Sequence, residues 1–117
     1  MRWFDLSGKK AMITGAGRGL GKGMAEGFME AGVETAIFAT TDKIIDMARV
    51  YRENGFKCHG VVADLSSEAS RQSGFLKALE MLGGKIDILV NSAGIQRRHK
   101  SEEFPLEDWN EVLEVNL

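Results

Sequence analysis

The chain has 117 residues, 44% of them hydrophobic and 27% charged, which suits one globular domain with a real core. Fifteen basic and seventeen acidic residues give a net charge of −2 with both signs interspersed, so there is neither a basic stripe for nucleic acid nor a like-charged tail. The single cysteine, Cys58, excludes an internal disulfide and fits a reducing compartment, where it reads as a packing residue on a strand. The N-terminus lacks an apolar signal core and no stretch approaches membrane-spanning length, so a cytoplasmic location without a membrane partner is expected.

Residues 1–9 lead in, with Ser7-Gly8 as a turn. The apolar run Ala11-Met12-Ile13 makes strand one and ends at Thr14. After a glycine-rich loop, helix one is predicted over 19–31, with Leu20, Met24, Phe28 and Ala31 on one buried stripe and Gly32 as its C-cap. Strand two covers 34–39. Helix two covers 41–54, capped by Thr41, burying Ile44, Ala48 and Tyr51 and stopping at Asn54-Gly55. Strand three, 57–63, runs into Asp64-Leu65. Ser66 or Ser67 then caps helix three, 67–82, whose apolar side is Phe75, Leu76, Leu79 and Leu82, and Gly83-Gly84 ends it. Strand four, 86–91, contains the apolar run Ile88-Leu89-Val90, which suits a sheet covered on both faces. A polar loop follows, then Pro105 and a helix carrying Trp109, Val112, Leu113 and Leu117. Strands alternating with helices imply right-handed crossovers and a parallel sheet of the α/β class, with no linker or repeat dividing residues 1–117.

Residues 10–23 read Lys-Ala-Met-Ile-Thr-Gly-Ala-Gly-Arg-Gly-Leu-Gly-Lys-Gly, a strand, a glycine loop and the start of a helix. Glycine lets an anionic ligand approach backbone N–H groups closely, and the helix dipole adds positive charge there. The Gly-x-Gly-x-x-Gly spacing fails in every register, since Gly15 and Gly17 would need glycine at Leu20. A Walker loop fails as well: Ala16 stands where its first glycine belongs, and Gly23 where Ser or Thr should be. What fits is Thr-Gly-x-x-x-Gly-x-Gly, read as Thr14, Gly15, Gly19 and Gly21. Alone, the cluster would also suit a structural turn. Its spacing resembles the short-chain dehydrogenase/reductase family. That resemblance implies a Rossmann-like doubly wound sheet of strand order 3-2-1-4, with ligand at the strands' carboxyl ends.

The same resemblance implies a nicotinamide dinucleotide, NAD(P), as partner. Thr14, Gly15, Arg18, Gly19, Leu20 and Gly21 would line its diphosphate, and Asp64-Leu65 would meet the adenine; Asp64 is otherwise a turn or cap carboxylate. Ala39-Thr40 stand where NAD-preferring relatives carry an acid for the ribose hydroxyl, so Thr40 would face that ribose. Asp42 lies slightly further on. Arg18 resembles the arginine that NADP-dependent members turn toward the 2′-phosphate, which favours NADP. Asn91-Ser92-Ala93-Gly94 is similar to the family's Asn-Asn-Ala-Gly. Asn91 would tie neighbouring strands while Ala93 and Gly94 lie against the cofactor, and Ser92 replaces the second asparagine with a shorter hydrogen-bonding group. Asn116, in Val115-Asn116-Leu117, matches the catalytic asparagine that supports a proton-relay water.

The stretch Gln96-Arg97-Arg98-His99, with Phe104-Pro105 and Trp109-Asn110, resembles gluconate 5-dehydrogenases and 2-deoxy-D-gluconate 3-dehydrogenases. Arg97 and Arg98 could grip a sugar-acid carboxylate, or simply form a solvated basic loop. His59 and His99 have no partners at metal-ligand spacing, and no metal site is expected.

The family's Tyr-x-x-x-Lys and upstream serine have no counterpart. Tyr51 has Gly55 four residues later, and Ser101 is the sole serine after Gly94. The chain is therefore expected to be the incomplete cofactor-binding half of a sugar-acid dehydrogenase, truncated after strand four and the start of the next helix, and inactive alone. A complete relative would be a homo-oligomer. Two other readings stay open. One is a noncatalytic nucleotide-binding or interaction module, which would leave strand four as an exposed edge. The other is part of a 3-oxoacyl reductase, which shares Arg18 but does not explain residues 96–99.

Overall fold

The computed structural model describes residues 6–92 and the strand at 113–115. Five strands form one parallel sheet: β1 (Lys10–Thr14), β2 (Glu34–Ala39), β3 (Cys58–Val62), β4 (Ile88–Asn91) and β5 (Leu113–Val115). Their order is β3-β2-β1-β4-β5, so the expected 3-2-1-4 arrangement is present with one strand added. Among the described residues three helices join β1 to β4 in turn: α1 (Gly19–Glu30), α2 (Lys43–Glu53) and α3 (Glu68–Met81).

Alternate strand residues point to opposite faces, and both faces are filled. On one side Ala11, Ile13, Ile37, Cys58 and Val90 pack with Ala25 and Met29 of α1 and with Ile44 and Ala48 of α2. On the other, Met12, Ala36, Phe38, Val61 and Leu89 pack with Ala78 and Leu82. Each large apolar side chain among them, removed fully from water, contributes about 1.5–3 kcal/mol. The sheet is thus doubly wound, with α1 and α2 over one face and α3 over the other.

The helices reach the sheet through small residues, which corrects two expected stripes. α1 buries Gly21, Ala25 and Met29, with Met24 and Phe28 half-buried; Leu20 is 58% exposed and Ala31 is half-buried at the C-cap. α3 buries Gly74 and Ala78, followed by Leu82 at its C-cap; Phe75 and Leu79 flank that line and Leu76 is 62% exposed. A Cβ on Gly74 would stand 2.9 Å from the Cβ of Ala63, and one on Gly60 of β3 only 2.6 Å from the Ile44 carbonyl oxygen. Where backbone must come this close to backbone, the contact row consists of Gly and Ala. A hydrophobicity period selects the neighbouring row of larger side chains instead.

Helix starts also separate. Ser67 caps α3, its hydroxyl accepting the Ser70 N–H at 3.2 Å. At α2 the expected Thr41 cap is absent: Asp42 is the N-cap residue, with no side-chain capping bond. Instead the Thr41 and Asp42 carbonyls accept the Ile44 and Ile45 N–H groups at 3.3 and 3.0 Å. Tyr51 is half-buried rather than buried, because its hydroxyl reaches Glu26 Oε2 at 2.6 Å and joins α2 to α1. Burial, with that carboxylate beside it, pushes the Tyr51 phenol well above its ordinary range.

Leu113 was expected in a helix, and it begins β5 instead. Leu113, Glu114 and Val115 pair in parallel with Ile88, Leu89 and Val90 of β4. A strand edge carries unpaired N–H and C=O groups, and pairing them in a ladder outweighs a short local helical pattern. The expected exposed edge of β4 is covered along those three residues. Trp109, Val112 and Leu117 lie outside the described residues. Among the described residues, no helix is long and apolar enough to cross a membrane.

Candidate functional site

The strands end in register at one side of the sheet. Thr14 lies opposite Asn91, and Ala39 opposite Val62. Adjacent strands sit about 4.8 Å apart, so the segments following β3, β2, β1 and β4 form a row about 14 Å long. Asp64, Thr40, the glycine loop and Asn91 belong to that row in this order.

At its centre the chain leaves β1 and turns into α1. Gly15 and Gly19 have φ of +64° and +63°, a left-handed backbone that costs a side-chain-bearing residue about 1–2 kcal/mol. Ala16 is buried and its N–H donates to the Phe38 carbonyl at 3.2 Å, fixing the loop to β2. Gly17, Arg18, Gly19 and Leu20 are exposed. Arg18 is the extended N-cap of α1, and α1 has neither a side-chain capping bond nor an acid in its first turn. A helix start has N–H groups without internal acceptors and partial positive charge. With no acid of its own there, this one suits an external anion.

Gly21 has a different place. It is buried, and a Cβ there would fall 2.2 Å from the Gly15 carbonyl oxygen and 2.6 Å from Ser92 Oγ. It lets the helix close onto the loop and the end of β4. Ser92 is itself 7% exposed, so its short side chain fills the space against Gly21. Thr14 and Asn91, both buried, join β1 to β4: the Thr14 hydroxyl lies 3.2 Å from Asn91 Oδ1 and 3.5 Å from the Val90 carbonyl oxygen.

Thr40 follows β2 and is exposed, as is Asp42 at the start of α2. Beyond β3, Asp64 is exposed and forms a tight turn: Oδ1 accepts the Ser66 hydroxyl at 2.6 Å and the Ser66 N–H at 3.0 Å. These two bonds hold its carboxyl below the usual aspartate value. The Asp64 N–H donates to Ser70 Oγ at 2.8 Å, and the half-buried Leu65 gives its carbonyl to Arg71 Nη1 at 2.8 Å. Neither Ser70 nor Arg71 belongs to a sequence motif. The one local signal was the Ser67 cap, which brings the first turn of α3 against this loop.

Cys58 is fully buried, and burial pushes its thiol up to about 12, with Arg52 opposing that shift slightly. It packs under the sheet and takes no part in the row. His59 pairs with Glu34 at 2.7 Å at the opposite end of the strands. Ala93, Gly94, Arg97, Arg98, His99 and Asn116 lie outside the described residues.

The profile of the family described as short chain dehydrogenase matches residues 9–117. Gluconate 5-dehydrogenase of Gluconobacter oxydans is 36% identical over 115 residues, covering 97% of this chain and 44% of that protein. The 3-oxoacyl-acyl-carrier-protein reductase of Aquifex aeolicus is 39% identical over 114 residues, covering 96% and 46%. Among solved structures, a gluconate 5-dehydrogenase from Burkholderia cenocepacia in complex with NADP and tartrate superposes with a TM-score of 0.70 at 39% identity, covering 90% of this chain and 41% of that one. The chain therefore spans about half the length of these relatives or less. With its glycine loop, strand order and match over residues 9–117, the chain belongs to the short-chain dehydrogenase family.

Proposed function

We propose that residues 1–117 are the NAD(P)-binding portion of an oxidoreductase that moves hydride between a nicotinamide cofactor and an alcohol or ketone of a gluconate-type sugar acid. The observation that carries this reading is the exposed, acid-free start of α1 behind two glycines with left-handed backbone. A diphosphate there would meet the N–H groups of the loop and the first helical turn. Asp64 and Leu65 would bound the adenine, Thr40 the adenosine ribose, and Asn91, Ala93 and Gly94 the nicotinamide side. Arg18, exposed beside the loop, gives the preference for NADP over NAD: its guanidinium can form paired bonds to a 2′-phosphate. The nicotinamide supplies or accepts the hydride.

Arg97 and Arg98 would bind the substrate carboxylate, and Asn116 would support the proton relay. The relay's donor must come from elsewhere, because this sequence contains no Tyr-x-x-x-Lys. The 117-residue chain should bind cofactor without turning over. In the whole protein, homo-oligomers in the cytoplasm fit this reading.

A 3-oxoacyl reductase is the second reading, favoured by the 39% identity to the Aquifex aeolicus protein. Residues 96–99 favour the sugar acid. Calorimetric titration with NADPH and NADH tests the binding claim. Binding of either, with no NAD(P)-coupled oxidation of gluconate by the 117-residue chain, is expected; absence of binding would refute it. A longer protein containing this chain, offered gluconate, ketogluconate and 3-oxoacyl substrates, separates the two readings.

A further inference from the structure

We infer that Ser70 and Arg71 of α3 are positioning residues that hold the Asp64–Leu65 turn in the shape that selects adenine at this end of the site. The inference rests on the dinucleotide reading above and goes beyond it, because neither residue would touch the base.

The turn is held from several sides at once. Asp64 gives its carbonyl to the Ser67 N–H at 3.1 Å and its Oδ1 to Ser66, bonds that an ordinary turn and helix start provide by themselves. Two further bonds come from the helix. Ser70 Oγ accepts the Asp64 N–H at 2.8 Å, while the Ser70 backbone N–H donates to Ser67 Oγ at 3.2 Å, so the cap anchors the residue that carries this hydroxyl. Arg71 Nη1 donates to the Leu65 carbonyl at 2.8 Å.

Arg71 Nε is buried with no hydrogen-bond partner among the described residues. Ordering a long side chain and burying part of a guanidinium are both unfavourable. The return is one short charge-assisted bond to the backbone of a half-buried residue beside an exposed carboxylate. Apolar packing under α3 is already supplied by Gly74, Ala78 and Leu82. What the extra bonds supply is a fixed direction for Asp64. Ser70 and Arg71 hold the backbone of residues 64 and 65 while Ser66 holds Oδ1, so the carboxylate keeps one aim and an adenine amino group would meet an acceptor already in place.

Hypoxanthine carries an oxygen where adenine carries that amino group, so base preference reads the aim of Asp64 directly. The 117-residue chain and its variants are titrated with whichever of NADPH and NADH the wild type binds more tightly and with the hypoxanthine analogue of that cofactor, with melting temperatures recorded alongside. The wild type should prefer the adenine form by about tenfold, the worth of one good hydrogen bond. Arg71→Met and Ser70→Ala should each reduce the preference below about threefold while still binding the hypoxanthine analogue as the wild type does. Arg71→Lys should restore part of it. Unchanged preference in folded variants overturns the inference, and so does an equal loss of both analogues that follows the melting temperature. If Arg71→Met does not fold, Ser70→Ala decides alone. A wild type that binds neither NADPH nor NADH, or does not distinguish the two bases, overturns the underlying reading instead.

Discussion

The two ends of the sheet are built on opposite plans. At the amino end, charged side chains satisfy one another. Lys10 Nζ bonds Glu34 Oε1 at 2.6 Å, and His59 Nε2 lies 2.7 Å from Glu34 Oε2, linking β1, β2 and β3. The Lys10 N–H donates to Asp87 Oδ2 at 2.8 Å, which brings in the start of β4. At the carboxyl end, Gly15 and Gly19 turn the backbone into left-handed conformations, and the helix start beside them has no acid in its own first turn. Closed networks hold a sheet together. A helix start with partial positive charge and no acid in its first turn instead suits an anion.

Substitutions can break or sharpen this contrast. The largest effect is expected at Gly21, where an added Cβ meets the fixed Gly15 carbonyl at 2.2 Å. Gly21→Ala should cost about 3 kcal/mol by urea unfolding and abolish dinucleotide binding, because the helix must lift from the loop. Gly27→Ala, in the same helix with no described atom beyond the helix's own backbone within 4 Å of the new Cβ, should instead stabilise by about 0.5–1 kcal/mol. If the two variants unfold alike, close packing is not what Gly21 provides.

Next comes Gly15. Its φ of +64° makes Gly15→Ala cost about 1–2 kcal/mol, and the methyl group crowds the anion's approach, so NADPH affinity should fall by at least about tenfold. A smaller effect, confined to one cofactor, is expected at Arg18. Arg18→Ala should weaken NADPH by about tenfold and leave NADH within about twofold, with stability unchanged. Equal losses for both cofactors would remove the 2′-phosphate assignment.

The amino end should respond to pH and not to ligand. Burial raises the Glu34 carboxyl, but the bonds from Lys10 and His59 outweigh that and hold it below its ordinary 4.5. A carboxylate depressed in the folded state contributes stability that is complete above 4.5 and is lost as pH falls through the lower folded value. Glu34→Gln should therefore lower stability by about 1 kcal/mol at neutral pH and flatten the acid limb of the melting curve. Cofactor affinity should not change. A variant whose acid limb keeps its slope would show that other carboxylates govern it.

How much of this was legible in the residues follows from the physics of each feature. β2 was readable to its ends because a short β-rich run, entered from the Gly32 turn and left through the polar Thr40-Thr41-Asp42, has few alternatives. The spacing of Thr14, Gly15, Gly19 and Gly21 was readable because glycine marks positions where a Cβ cannot stand. Burial on α1 and α3 was misread by one or two residues. Leu20 and Leu76 look like core residues, yet the close contacts are made by Gly21 against the glycine loop and by Gly74 against the sheet. β5 was read as helix, because its extended form depends on the free edge of β4 and not on its own three residues. Arg71 was missed because its partner is a backbone carbonyl six residues earlier, brought near by the turn into α3 and marked by no side-chain pattern.

The central claim is that a diphosphate rests on the amides between Thr14 and Lys22. A nitrogen–proton NMR titration of the 117-residue chain with NADPH reads those amides one by one. Gly15, Gly17, Arg18, Gly19 and Leu20 should shift most, while Lys10, Glu34 and His59 at the far end stay in place. Saturable binding that moves the amino-end residues and leaves the glycine loop unchanged would contradict it, as would a spectrum that NADPH does not alter.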